Sequence, residues 1–259
     1  MKIVVFVKQC PDSNADIHVV NGQIHIRDVP LAINPWDEIA VEAALIMKEG
    51  LDAEVIAVSI GKEDETEALK HALAMGCTDA LLISDPELEN VDTQVKARVM
   101  AAVVKKIGSV GAALFGRRSI DNGSAMTPVQ TARLLHWPSL TQVSEINSID
   151  KQAGKVTVTR TIEEGQQILE AHLPVMISVG KDFAEPRYPS FIGKRKAAKT
   201  LIPVWSLKDI GIKPTATRID RIEVKDSKQK EIETQMISGR NAAEIAKELI
   251  ERLIAEKVL

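Results

Sequence analysis

Residues 116–130 read GRRSIDNGSAMTPVQ, and the fold is decided there. Just before them, Ala112-Ala113-Leu114-Phe115 is a short apolar run; just after, Val129, Ala132, Leu134 and Leu135 recur at helical spacing. An apolar run, a small polar turn and a helical stripe make a strand–turn–helix junction.

The same alternation extends in both directions. Apolar runs at 3–7, 53–60, 80–84 and 112–116 are bounded by glycine or polar residues, as strands covered on both faces should be. Between them, 36–48 (Ile39, Ala43, Ile46, Met47), 64–74 (Ala68, Ala72, Leu73) and 92–107 (Val95, Val99, Val103, Ile107) carry helical stripes. The expected fold is α/β, a doubly wound and mostly parallel sheet of the Rossmann-like kind.

Two hairpin excursions interrupt the alternation. Residues 16–33 hold two short alternating runs around Asn21-Gly22, and 155–162 with 166–173 flank Glu163-Glu164-Gly165, after which 175–179 return to the core. The expected nucleotide-binding domain covers 1–180. The irregular stretch 181–200, with two prolines and six cations, reads as a projecting loop, and 181–213 as a recognition loop returning to the core. Residues 214–259 are expected to form a polar linker and a C-terminal arm, with Ile245, Leu249, Ile250, Leu253 and Ile254 on one side of an amphipathic helix.

Composition narrows the function. The 33 Lys and Arg against 36 Asp and Glu leave a net charge of −3, so no global basic field points to nucleic acid. The apolar run at 3–7 is too short for a signal core or a membrane span, and two cysteines, Cys10 and Cys77, fit a reducing compartment. The expected location is cytoplasmic, or the mitochondrial matrix in a eukaryote. Cys10 has no local base to activate it as a nucleophile.

Two helix starts carry unusual chemistry. At INPWDEIA (33–40), Asn34 suits a cap, Pro35 the first helical position, and Asp37 and Glu38 the positive end of the helix dipole. An ordinary helix start explains this; if a nucleotide binds, the acids would repel phosphate and suit an adenine edge or ribose hydroxyl. The second start, DNGSAMTPVQ, has no acid in the helix's first turn, a turn at Asn122-Gly123, and Ser124 and Thr127 beside exposed amides, which suits phosphate. Thr127-Pro128-Val129-Gln130 also matches a plain capping box. Neither a lysine-bearing P-loop nor a G-x-G-x-x-G motif is present, which argues against a nucleotide hydrolase.

Several stretches resemble a known family. VKQCPD (7–12), INPWDEIAVEAAL (33–45), TEALKHALAMGCTDALLI (66–83), the spacing from Ile120-Asp121 to Trp137-Pro138, and EPRYPSFIGKRKAAK (185–199) are together similar to the beta subunit of electron transfer flavoprotein. The resemblance implies a non-catalytic subunit of an electron carrier. A larger alpha subunit would hold the redox-active FAD, and this chain a second nucleotide, AMP in most members and a second FAD in electron-bifurcating ones. Motif alignment puts the nucleotide contacts at Phe6, Asn34, Pro35, Trp36, Asp37 and Ile60, and along Gly116, Arg117, Arg118, Ser119, Ile120, Asp121, Asn122, Gly123, Ser124, Ala125, Met126 and Thr127.

Ser124 to Val129 fall between the AMP-type pattern Asn-Gln-Thr-Gly and the FAD-type pattern Thr-Ala-Gln-Val-Gly-Pro, and Met126 removes an amide that either type would supply. The resemblance makes Phe191, with Tyr188 and Ile192 beside it and Lys194, Arg195, Lys196 and Lys199 around it, the docking element for acyl-CoA or other dehydrogenases. A quinone reductase or ferredoxin-type protein would accept the electrons. A free-standing adenine-nucleotide sensor is the rival reading.

Overall fold

The computed structural model describes residues 1–12, 18–20, 22–25, 29–219, 223, 225 and 234–258. The chain runs β1 (Lys2–Phe6), β2 (Gln9–Pro11), β3 (His18–Val20), β4 (Gln23–His25), β5 (Leu31–Ile33), α1 (Pro35–Leu51) and β6 (Glu54–Ile60). Then come α2 (Glu67–Met75), β7 (Asp79–Ile83), α3 (Thr93–Ile107), β8 (Val110–Gly116), α4 (Thr127–Leu135) and β9 (Ser139–Asp150). It continues through β10 (Lys155–Ile162), β11 (Gly165–His172), β12 (Val175–Val179), α5 (Phe191–Ala197), β13 (Val204–Trp205) and α6 (Ala242–Ala255).

Among the described residues, nine strands form one sheet in the order β11-β10-β9-β12-β8-β1-β6-β7-β13. β1 lies between β6 and β8, parallel to both, with Ile3 opposite Val55 on one side and Ala112 on the other. From β1 the chain winds outward to β6 and β7, then returns across β1 to β8 and β12. The winding therefore reverses between β1 and β8, the place where doubly wound sheets open a crevice at their strand ends.

Alternation along β1 sorts the core into two layers. Ile3 and Val5 pack with Val41, Leu45, Met47 and Leu51 of α1 and Leu69 of α2. Val4 and Phe6 face the other way, onto Val95, Val99 and Val103 of α3 and Ala132 and Leu135 of α4. Each buried side chain of this size contributes about 1.5–3 kcal/mol relative to exposure. Both faces are apolar, which explains why β1 and β8 read as continuous apolar runs.

Both expected hairpins form. β3 and β4 pair with Val20 opposite Gln23, although Asn21 of the expected turn lies outside the described residues. β10 and β11 pair from Lys155↔His172 to Ile162↔Gly165. They extend from β9, a twelve-residue strand that the sequence pattern does not announce.

The stretch 181–200 also departs from expectation. Instead of an irregular loop it contains α5, whose start is capped by Ser190 Oγ accepting from Gly193 N at 2.9 Å. Its seven residues show no periodic apolar stripe because only Ala197 is buried. After α5 the chain reaches β13, which adds to the sheet beside β7.

The chain divides into two compact units, residues 1–224 and 225–259. Part of the expected linker, 220–222, 224 and 226–233, lies outside the described residues. In the second unit, α6 is capped by Asn241, whose side chain accepts from Glu244 N at 3.0 Å, and braced by Arg252 on Glu248 at 2.6 Å. Among the described residues no helix is long and apolar enough to cross a membrane.

Candidate functional site at the sheet's reversal point

Asp37, in the first turn of α1, ties together the carboxyl ends of the two central strands. Its Oδ2 accepts from Lys8 N at 2.9 Å, just past β1, and its Oδ1 from Gly116 N at 3.2 Å, at the end of β8. Burial lifts this carboxyl to about 7, while hydrogen bonds from Asn34, Lys8 and Gly116 pull against the rise. A Cβ on Gly116 would lie 2.5 Å from Asp37 Oδ1 and 2.5 Å from the Trp36 carbonyl carbon, so the strand passes the helix only because residue 116 has no side chain.

Asn34 does not cap its own helix with its side chain, contrary to expectation. It is fully buried, and its Oδ1 accepts from Ile120 N at 3.1 Å while Nδ2 donates to Arg118 O at 2.9 Å. The amide is committed to the 117–120 loop, whose backbone lies outside the sheet and the helices. Asn34 and Asp37 thus shape the loop from behind. The Arg118 guanidinium sits 5.7 Å from the centre of the Trp36 ring.

The loop then turns. Gly123 donates to Ser119 O at 2.9 Å and takes φ +65°, the left-handed turn expected at Asn122-Gly123, and Ala125 follows at φ +53°. α4 begins at Thr127, so the expected capping box is displaced: Met126 holds the cap position, without a side-chain bond. The Thr127 carbonyl accepts from the Thr131 hydroxyl at 2.8 Å. With Pro128 lacking an N–H and no acid in the first turn, the remaining first-turn amides of α4 form an anion-friendly end.

Lys8 pairs with Asp121 across the entrance. Burial alone would raise the Asp121 carboxyl, but the hydrogen bond and charge of Lys8 outweigh it and hold the group below its usual range. Cys10 lies beneath this pair, 1 % exposed, its thiol pushed up to about 12 by burial and then by the Asp121 carboxylate. Such a thiol is inert as a nucleophile.

These elements enclose a cleft of about 100 Å³ at the reversal point. Of the residues singled out in sequence, Phe6, Asp37, Ile60, Gly116, Arg117, Arg118, Ser119, Asn122, Ser124, Ala125 and Thr127 line it. Asn34, Trp36, Asp121, Gly123 and Met126 are outside its lining, and Pro35 and Ile120 face a separate cavity of about 500 Å³ between α1, α2 and α5. The structure adds Val7, Lys8, Phe115 and Pro128, and, from the helix opposite, Thr93, Lys96 and Met100 of α3. Phe6 and Phe115 stack on each other at 4.7 Å and are 3 % and 5 % exposed, so they floor the cleft and leave no open face for a base.

The expected docking residues cluster elsewhere, on α5 and its approach. Tyr188, Phe191 and Ile192 are 89 %, 82 % and 79 % exposed, with Lys194, Arg195, Lys196 and Lys199 also exposed. Leu201, 94 % exposed, belongs to the same stretch and escaped the sequence reading.

Comparison with known proteins assigns the family. The family model described as the electron transfer flavoprotein domain matches residues 22–210. The chain is 33 % identical to the caffeyl-CoA reductase–Etf complex subunit CarD of Acetobacterium woodii and 31 % identical to the electron transfer flavoprotein subunit beta of Megasphaera elsdenii, in each case over 100 % of both chains. It is 32 % identical to the protein FixA of Azorhizobium caulinodans over 82 % of this chain and 77 % of that one. The chain belongs to the electron transfer flavoprotein family, as a beta-type subunit supporting electron transfer.

Proposed function

We propose that the chain is the beta half of a heterodimeric electron transfer flavoprotein and that its reversal-point cleft holds AMP as a structural nucleotide. The observation that carries this reading is the cleft's composition: an acid-free helix start, backbone turned by Gly123 and Ala125, and the cations Lys96, Arg117 and Arg118 around it. That set suits a phosphate. The enclosed volume of about 100 Å³ is smaller than a typical ligand pocket of roughly 300–1,000 Å³. The rest of the nucleotide would then lie along the exposed 117–126 loop, where a companion subunit covers it.

FAD, carried mainly by that companion, supplies the redox chemistry, and this chain shields the flavin and presents the docking segment. Phe191, with Tyr188 and Ile192 and surrounded by cations, suits a dehydrogenase with an apolar pocket and an acidic rim. One relative is a subunit of a caffeyl-CoA reductase–Etf complex, which supports association of this chain with a partner oxidoreductase.

A second FAD in the cleft is the other reading, favoured by Ser124-Ala125, which parallels the Thr-Ala of the FAD-type pattern. Co-expression with the companion subunit, followed by denaturation and chromatography of the released compounds, separates the two. AMP with one FAD supports the first reading and two FADs the second, whereas no adenine compound from the cleft would overturn both.

A further inference from the structure

The docking segment is held more firmly than an exposed loop requires. Glu42, midway along α1, has a side chain only 8 % exposed, and it gives both oxygens to Arg187. Arg187 Nε lies 2.8 and 3.1 Å from the two oxygens, Nη2 lies 2.8 Å from Oε1, and the Arg187 backbone N–H donates to Oε2 at 3.0 Å. Glu49, farther along the same helix, approaches Nη2 at 3.5 Å. Burial would raise the Glu42 carboxyl, but the Arg187 hydrogen bonds and charge hold it below its usual range. A carboxylate this buried is tolerated because one planar fork satisfies both its oxygens.

The far end of the segment is seated equally closely. A Cβ on Gly193 would come 2.4 Å from Ala74 O of α2, and Ala197 is 3 % exposed. α2 is in turn joined to α1 by His71 Nε2 and Glu38 Oε1 at 2.7 Å. On this mount Tyr188, Phe191 and Ile192 stand almost fully in solvent. Apolar side chains on a slack loop fold back onto the surface, and a partner then bears the cost of ordering them.

We propose that Glu42 is a positioning residue which, through Arg187, holds segment 187–197 in its docking conformation before any partner arrives. The inference rests on the docking reading given above. Glu42 is buried and lies outside the lining of both cavities, so it acts through the guanidinium. Arg187→Lys keeps a cation but loses the fork, so it is expected not to substitute.

The test uses the assembled flavoprotein with its flavin bound. In Glu42→Gln, amides of 187–198 should exchange with solvent roughly tenfold faster, while those of β1 and β8 keep their protection. With an acyl-CoA dehydrogenase reduced by its substrate as electron donor, KM for the flavoprotein should rise roughly tenfold at unchanged kcat and flavin content. Arg187→Lys should reproduce both effects. Unaltered exchange in 187–198 overturns the proposal, and so does a normal KM in a variant whose exchange has risen. Phe191→Ala keeps the two readings apart. A normal KM there removes the docking assignment, whereas a raised KM for Phe191→Ala beside a normal one for Glu42→Gln removes only the role of Glu42.

Discussion

The amide of Gly116 donates to Asp37 Oδ1 across 3.2 Å, which locks the end of the central strand β8 onto the first turn of α1. A methyl group has no room there, since both the carboxylate oxygen and the Trp36 carbonyl carbon would lie 2.5 Å from it. Gly116→Ala is expected to cost about 1–3 kcal/mol through forced backbone movement, and to weaken nucleotide binding because the cleft's wall shifts with it. Calorimetry and a binding titration check both effects. An alanine variant unchanged in both would show that the close approach is dispensable.

Asp37 also predicts a pH dependence. Its carboxyl moves from 3.8 in the unfolded chain to about 7 in the folded protein, so between those values the folded state holds a proton that the unfolded chain has released. This contribution to stability is complete below pH 3.8 and is lost as the pH rises through about 7, at up to about 1.4 kcal/mol per pH unit. Asp37→Asn cannot titrate, so relative to the variant the wild type should lose stability from pH 5 to pH 8. Denaturant titrations at the two pH values measure the difference. Parallel pH profiles would contradict it.

Asn34→Ala tests the loop's inner support. It leaves Ile120 N and Arg118 O without their buried partner, which should cost about 1–3 kcal/mol. Hydrogen exchange should rise in 117–123 before it rises in β8. Equal changes across β8 and the loop would mean that Asn34 supports the whole sheet and not this turn.

How much of this was legible beforehand depends on where each residue's partner lies. β1, β6, β7 and β8 could be read because each is apolar on both faces. β9 could not: among Ser139–Asp150 only Leu140 and Val143 are buried, and Gln142 takes φ +56°, which breaks the alternation. The 116–127 loop was legible through its small residues and its turn. Thr93, Lys96 and Met100 were not, because α3 reaches the cleft only through the winding of the sheet. Asn34 suits a helix cap in sequence, yet the backbone groups its side chain binds lie 84 and 86 residues away.

The thiols offer an independent check on packing at the entrance. Burial pushes both Cys10 and Cys77 up to about 12, and the Asp121 carboxylate adds to the rise at Cys10. At pH 8 the thiolate fraction is on the order of one in ten thousand. Neither cysteine should react with a thiol reagent until the protein is unfolded, when both should. Rapid labelling of Cys10 in the native protein would mean that the Lys8–Asp121 closure is open in solution.

Native mass spectrometry of the co-expressed complex tests the central claim most directly. The account predicts a one-to-one assembly of this chain with a flavin-bearing subunit, heavier than the polypeptides by one FAD plus one further adenine nucleotide, and loss of that second increment in Gly116→Ala. A chain that flies alone, or an assembly carrying FAD and nothing else, would contradict it.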